Sequence, residues 1–433
     1  MANMSDASKF IKPLFFAFLF VFGPWSSSAF AEEPATGSDR ENFMEEIPKR
    51  TLLDLPKTFK EGRMRFLPIP VFDTDPGSGQ RYGIMPTFLF LDKKEELVAI
   101  GVAALTYNSK VVKWGGYAGF FLYPSTEEKM RLFYQVGERF ERDYYLQYIN
   151  ESWFDGRFSL DTEIEYFQNP FERFFGFGPN TTTATETNFV SHVWFWKGKF
   201  GYEIFPKFDI QLEEKWTRLQ LHPHAILTLS DTATFFAGNP EVKSSDQWNH
   251  RLSLIWDTRD SNDFPTDGQY VETFGLFSHE PFSSSSFYSG YGFWAKEIFT
   301  LAKRFTTNLF FRVEQDFGES IPFYMQPGLG GEATLRAFVE RRFTGRGRIL
   351  LDVEERIVVK TFTVNQVKFD LSLDPFFAVG QVFDSWDQVR FGNLQPVVGM
   401  GFRAKVPPSV LGRVDVGYGS EGLQVYTGLD YPF

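Results

Sequence analysis

From Gly347 to Lys360 the chain reads GRILLDVEERIVVK, an alternation whose two halves have opposite chemistry. The even positions are Arg348, Leu350, Asp352, Glu354, Arg356, Val358 and Lys360; the odd positions are Ile349, Leu351, Val353, Glu355, Ile357 and Val359. A β-strand sends successive side chains to opposite faces. One face of this segment therefore suits hydrocarbon and the other suits water or buried ion pairs, with Glu355 the exception on the apolar side. The same division recurs along the chain. Met130, Leu132, Tyr134 and Val136 oppose Lys129, Arg131, Gln135 and Arg139. Phe158, Leu160, Ile164 and Tyr166 oppose Asp161, Glu163 and Glu165, and Phe208, Ile210, Leu212 and Trp216 oppose Asp209, Glu213 and Lys215. Near the end, Leu423, Val425 and Leu429 oppose Gln424 and Asp430.

Alternation alone is equally compatible with a soluble sandwich, which packs one face of each strand and wets the other. The residue types separate the two cases. Several polar faces carry charges of both signs, while the opposite faces repeat large aromatics along the whole length; the chain has 53 phenylalanines and is 18% aromatic. A thin sandwich core has no place for so many rings, whereas a lipid-facing band with aromatic girdles does. Closing the sheet also removes edges that lipid could not satisfy. The expected fold class is all-β: a transmembrane antiparallel β-barrel. About seventeen alternating segments are visible, residues 129–152 being the least regular. Bacterial single-chain barrels have even strand numbers, which points to about 16. Asp155-Gly156 and Asp267-Gly268 have hairpin-turn chemistry, while the connections around 169–188, 222–247 and 318–346 are long, so one end of the barrel has short turns and the other long loops.

The N-terminus supplies the compartment. Lys9 and Lys12 precede the apolar run Leu14 to Phe22, and Ala29-Phe30-Ala31 is a small-x-small cleavage site before Glu32, the pattern of a secretory signal peptide. The expected organisation is a signal peptide over residues 1–31, a short periplasmic N-terminal segment over 32–65, and an outer-membrane barrel over 66–433. The stretch from Phe66, FLPIPVFDTDPGSGQRYG, reads as a Pro/Gly-rich approach to the first strand. Its Asp73, Asp75 and Gly77 lack the later ligands of a calcium loop and read as a turn. The formal charge is −11, and removal of residues 1–31 leaves the chain more acidic still, which argues against nucleic acid as a partner. There is no cysteine, which excludes disulfides and thiolate metal sites.

Three stretches together resemble the bacterial surface antigen family, the outer-membrane factors of BamA/TamA type. These are LSLIWDTRDSNDFPTDGQYVETFGLF (252–277), LGGEATLRAF (329–338), and the segment from FFAVGQVF to Phe433. The resemblance spans roughly residues 66–433. It implies that the 329–338 loop folds back into the barrel lumen, where its arginine meets carboxylates on the inner wall. Arg336 stands at the arginine position and Phe338 at the aromatic, with Ala337 in place of the usual Gly; Glu354 and Arg356 match a Glu-x-Arg strand motif. Strand parity independently turns Glu354 and Arg356 inward, so an Arg336–Glu354 pair is expected. Where the family has Phe-x-Asp-x-Gly, this chain has Phe376-Phe377-Ala378-Val379-Gly380. Asp374 and Asp370 share the inward parity of Ala378, but Asp374 lies about 13 Å away along the strand. The terminal YTGLDYPF, with Gly428, Tyr431 and Phe433, matches the aromatic-ending last strand that barrels present to the assembly machinery. Residues 32–65 leave no room for the family's periplasmic POTRA domain, so a POTRA-less member is expected.

Other constellations are less specific. Asp257, Arg259 and Asp260 read as a charge clamp at a strand end, with Asp257 and Arg259 inward alongside Arg251; no activated nucleophile accompanies them. His222-Pro223-His224 sits in an expected surface loop without nearby further ligands, so no metal and no cofactor are expected. Ser284, Ser285 and Ser286 form a polar loop rather than a nucleophile elbow, and no G-x-S-x-G occurs, so the chain is not expected to be an enzyme. Three function classes follow: a barrel assisting insertion or translocation of protein or lipid, a passive channel or uptake barrel, and, least supported, an outer-membrane hydrolase. The expected partners are outer-membrane lipid, the barrel assembly machinery during biogenesis, and a client or solute that the sequence does not name.

Overall fold

The computed structural model describes Phe59 and residues 62–430, apart from 94–96, 126, 155, 262–264, 282–285, 303, 365–366 and 407–409. The signal-peptide segment, most of 32–65, Ser284, Ser285, Tyr431 and Phe433 lie outside the described residues.

Eighteen long strands are present among the described residues. They are β1 (Arg63–Asp75), β2 (Gly79–Leu91), β3 (Leu97–Asn108), β4 (Lys113–Leu122), β5 (Glu128–Gly137), β6 (Arg142–Trp153), β7 (Phe158–Phe174), β8 (Thr187–Phe205) and β9 (Phe208–His222). Then follow β10 (Ser245–Asp257), β11 (Gly268–His279), β12 (Phe287–Ala302), β13 (Phe305–Gly318), β14 (Gly347–Val364), β15 (Val367–Phe383), β16 (Gln395–Val406), β17 (Val410–Gly419) and β18 (Gly422–Asp430). Each pairs antiparallel with its neighbours in sequence. The number is even but is not the sixteen expected, and the difference begins at β1. Its Pro68 and Pro70 make it look like a loop, yet it runs in unbroken register with β2, Pro68 opposite Pro86. Neither proline of this pair has an N–H to give, so their edges point away from the shared ladder. The turn after β1 is closed by Ser78 N–H donating to Asp75 Oδ1 at 2.6 Å.

An even strand number puts the start of β1 and the end of β18 at the same end of the barrel. The connections at that end are short, such as 206–207, the longest being 258–267. Asp267-Gly268 closes this longer segment rather than a two-residue hairpin: Asp260 N–H donates to Asp267 O at 3.0 Å. The opposite end carries 175–186, 223–244, 319–346 and 384–394.

The faces sort by chemistry. Ile84, Leu105, Leu132, Ile164 and Phe200 are exposed on the outside, while Arg131, Asp143, Glu163, Lys197, Lys199 and Glu213 are buried on the inside. Inner charges are paired across strands, for example Lys197 Nζ with Glu163 Oε2 at 2.7 Å. Apolar outside and ionic inside is the reverse of a water-soluble domain and fits hydrocarbon contact. Rings stack around the outside from strand to strand, Tyr134 on Tyr144 at 5.0 Å and Tyr166 on Trp194 at 4.4 Å.

β1 and β18 meet at the seam. Thr74 N–H donates to Thr427 Oγ1 at 2.8 Å, and Thr427 Oγ1 donates to Asp73 Oδ1 at 3.3 Å. Among the described residues no ladder pairing joins the two strands.

Ile164 sits mid-strand on the outer face. Ile164→Arg should lower the free energy of folding into phospholipid vesicles by about 2–4 kcal/mol, the cost of a cation near the bilayer midplane. Urea-dependent folding into vesicles would measure it; unchanged stability would show that this face does not meet hydrocarbon.

Candidate functional site: the lumenal loop

The segment 319–346 does not stay outside the barrel. It turns inward at Gly330 and Gly331, whose φ angles of 119° and 90° suit glycine. It then lays Leu335, Ala337 and Phe338 against the inner wall, all with 0% exposure. They share one apolar cluster with Leu350 of β14, Phe376, Ala378 and Val382 of β15 and Val397 of β16. The wall is shaped to receive the loop: at Gly417 of β17 a Cβ would collide with the backbone carbonyl of Arg336. Tyr426 of β18 donates its hydroxyl proton to Phe338 O, and Phe338 packs edge-on to Phe343 at 5.1 Å.

Arg336 sits at the centre. Its Nη1 donates to Glu354 Oε2 at 2.6 Å and Asp415 Oδ1 at 3.2 Å, its Nη2 to Asp352 Oδ2 at 3.2 Å, and its plane stacks 3.5 Å from the centroid of Phe376. A planar guanidinium with five donors can serve three carboxylates and a ring at once; a lysine could not. Arg403 extends the network to Asp415 at 2.8 Å and Asp374 at 3.5 Å. Arg413 ties Glu332, on the loop itself, at 2.6 Å.

The loop also roofs the lumen. Arg342 donates from Nε to Glu421 Oε1 at 2.6 Å and from Nη2 to Thr181 O at 2.9 Å. Arg346 Nη2 donates to Glu241 Oε1 at 2.7 Å. Phe323 packs on Phe174 at 4.7 Å and on Phe189 at 5.4 Å. The loops 175–186, 223–244 and 319–346 thus form one folded cap over the loop end.

The Omp85 superfamily domain matches residues 126–420, more than half of the chain. The chain belongs to the Omp85 superfamily. It is similar to the crystal structure of BamA from Haemophilus ducreyi lacking POTRA domains 1–3, with a TM-score of 0.51 at 12% identity over 88% of this chain and 76% of that one. CdiB from Escherichia coli gives a TM-score of 0.47 at 11% identity, covering 84% of this chain and 62% of that one. A comparison with curated protein sequences finds no match. At 12% identity the likeness to BamA concerns the fold.

Within this Omp85 barrel the remaining sequence-derived residues fall as follows. Arg336, Phe338 and Glu354 come together. Arg356 does not join them; its Nη1 donates to Pro265 O at 3.1 Å, near the terminus end. Ala378, which stands at the family's aspartate position, is fully buried, and its ladder partner is Asp352. Asp352 and Asp415 are the carboxylates that join Glu354 around Arg336. Asp374 bonds Arg403, not Arg336. Arg259 clamps Asp257 with two donors, at 3.0 and 2.8 Å, and stacks over Tyr270 at 4.9 Å. Asp260 turns away from them and accepts from Thr266 N–H at 2.8 Å. Arg251 pairs with Glu272 instead. Gly428 faces Arg413 across the ladder. His222 stacks on His192 at 3.8 Å, while His224 Nδ1 lies 3.8 Å from Asp231 Oδ2. Ser286 Oγ donates to Ser320 O at 3.0 Å. Asp415, Arg403 and Tyr426 were not singled out from the sequence. Alternation could have turned Asp415 inward, but nothing in it names a partner 79 residues away.

Arg336→Ala would strip Asp352 of its cation and leave Glu354 and Asp415 to Arg403 alone among their close partners in the cluster. Stripping one partner from a buried ion cluster costs about 3–5 kcal/mol. The urea midpoint of the purified barrel should fall accordingly, with Arg336→Lys intermediate; an unchanged midpoint would remove the loop's electrostatic anchor.

Proposed function

We propose that this protein is an outer-membrane barrel that assists insertion or translocation of protein or lipid, and that it acts at its β1–β18 seam rather than as an open pore. The seam carries the reading. Thr74 N–H points to β18, so by the period of two the edges of Pro68 and Pro70 point there too. Neither proline has an N–H to offer on that edge. Neighbouring strands elsewhere are joined by ladders, whereas among the described residues β1 and β18 share no ladder pairing, and lipid gives an unpaired edge no alternative partner. That junction is where the wall can part at least cost.

The packed cap and the lumenal loop weigh against a passive channel. Ser286 Oγ is engaged with the backbone carbonyl of Ser320, which does not favour the hydrolase reading. In the proposed arrangement residues 1–31 direct secretion, the segment from 32 to the start of β1 at Arg63 lies in the periplasm, the long loops face outward, and the assembly machinery reads the terminal strand with Gly428, Tyr431 and Phe433.

The cysteine-free chain allows a direct test with Thr74→Cys/Thr427→Cys. In proteoliposomes, two rates would be followed: flipping of a fluorescent phospholipid and insertion of a urea-unfolded β-barrel client. At least one should exceed the empty-vesicle rate, fall to it when the pair is oxidised, and recover on reduction. Both rates at the empty-vesicle level, with steady ion conductance in planar bilayers, would favour the channel instead.

A further inference from the structure

Around much of the barrel the outer face is apolar over the height of a bilayer, but on one side it stops short. On β2 the outward Tyr82, Ile84, Phe88 and Phe90 keep it apolar from 82 to 90. On β9 the apolar run Phe208, Ile210, Leu212 ends at Glu214, and Trp216 and Arg218 follow. On β10 the matching run Trp256, Leu254, Leu252 ends at His250, followed by Trp248 and Asp246. These are the ninth and tenth of eighteen strands, so the short face lies directly across the barrel from the seam.

The polar groups are organised. Glu214 and His250 are ladder partners. Glu214 Oε2 accepts from Trp248 Nε1 at 2.6 Å and lies 2.7 Å from His250 Nδ1. Farther toward the loops, Asp246 accepts from Trp216 Nε1 at 2.7 Å and from Arg218 Nε at 2.8 Å. Arg218 keeps 46% of its side chain exposed, with donors left over for a phosphate.

Their depth is what matters. Phe208 and Trp256 are paired in the ladder, and Phe205 stacks on Phe208 at 4.7 Å, an aromatic edge on the terminus side. A strand tilted by about 40° climbs about 2.6 Å per residue. Glu214 and His250, at six positions beyond that edge, sit about 16 Å up a band normally about 25 Å tall. Tryptophans interleaved with charges are the composition of a headgroup belt, and here that belt starts well inside the usual hydrocarbon.

We infer that the bilayer is thinned along β9 and β10, and that lipid headgroups of the loop-side leaflet descend there to the Glu214–His250 rung, with Arg218 meeting a headgroup phosphate. The acids and bases already bond to one another and alternate with indoles, which suits a mobile zwitterionic or anionic headgroup better than a fixed protein partner. A short hydrophobic wall is accommodated by local thinning of the bilayer.

Nitroxide labels on single introduced cysteines read this directly. Gly198→Cys places a label beside Glu214, its ladder partner, without replacing a member of the cluster; the nearest atoms a Cβ there would meet are in the rings of Trp196 at 3.0 Å and Phe200 at 3.3 Å. Ile84→Cys, as far from Phe90 as Glu214 is from Phe208, and Leu212→Cys serve as hydrocarbon references. In vesicles of phosphatidylethanolamine and phosphatidylglycerol, the ratio of water-soluble to oxygen relaxation should be several-fold higher at Gly198 than at both references. Glu214→Leu/His250→Leu should bring the Gly198 label down to the Ile84 ratio. A Gly198 ratio already equal to that of Ile84 would show a flat bilayer. A label shielded from both relaxants would show a protein, such as a second copy, covering the face. Either result overturns the inference.

Discussion

A buried guanidinium held by three carboxylates decides what this barrel encloses. Without Arg336 the inner wall would hold Asp352, Glu354 and Asp415 close together with Arg403 reaching only the last two, and desolvated like charges are costly. With it, a flexible segment gains a fixed point from which the rest of the loop is oriented. Leu335, Ala337 and Phe338 dock on the wall beside it. Farther along the loop, Arg342 and Arg346 reach the loops 175–186 and 223–244. The apolar contacts supply area, and the ion cluster supplies direction, because hydrogen bonds to three acids converge on one guanidinium.

The two halves of the wall are built differently, and the contrast has a physical origin. Ladders run unbroken through most of the sheet, whereas at the seam Pro68 and Pro70 cannot donate and a threonine hydroxyl stands in for a ladder contact. Across the barrel the ladder is intact, but the outer face turns polar early at Glu214 and His250. Among the described residues one side of the wall lacks a ladder and the other lacks hydrophobic height. A barrel of this kind would perturb its membrane on two opposite sides by two separate means.

Much of this could be read from the chain because a strand repeats every two residues. The segment from Gly347 to Lys360 shows both faces without ambiguity, and parity alone turns Glu354 inward. What parity cannot do is choose partners. Asp352 was visible on the inward set, yet only the β14–β15 register puts it opposite Ala378, where the family's aspartate would be. Asp415 comes from a strand distant in sequence, and its role depends on closure of the sheet. Arg356 has the right parity and motif but the wrong height. β1 was hidden for a different reason: two prolines and a nearby glycine-rich turn imitate a loop, and the edge on which those prolines lack a donor is the one turned to the seam.

The docking of the loop on β17 offers the most direct measurement. A Cβ added at Gly419 would lie 3.0 Å from that of Ala337, close to disulfide reach, in a chain with no other cysteine. In Ala337→Cys/Gly419→Cys, a loop seated in the lumen should oxidise to one intramolecular bridge and leave both thiols closed to a membrane-impermeant maleimide. Two free thiols that label rapidly from the loop side would place the segment outside the barrel and contradict its anchoring by Arg336.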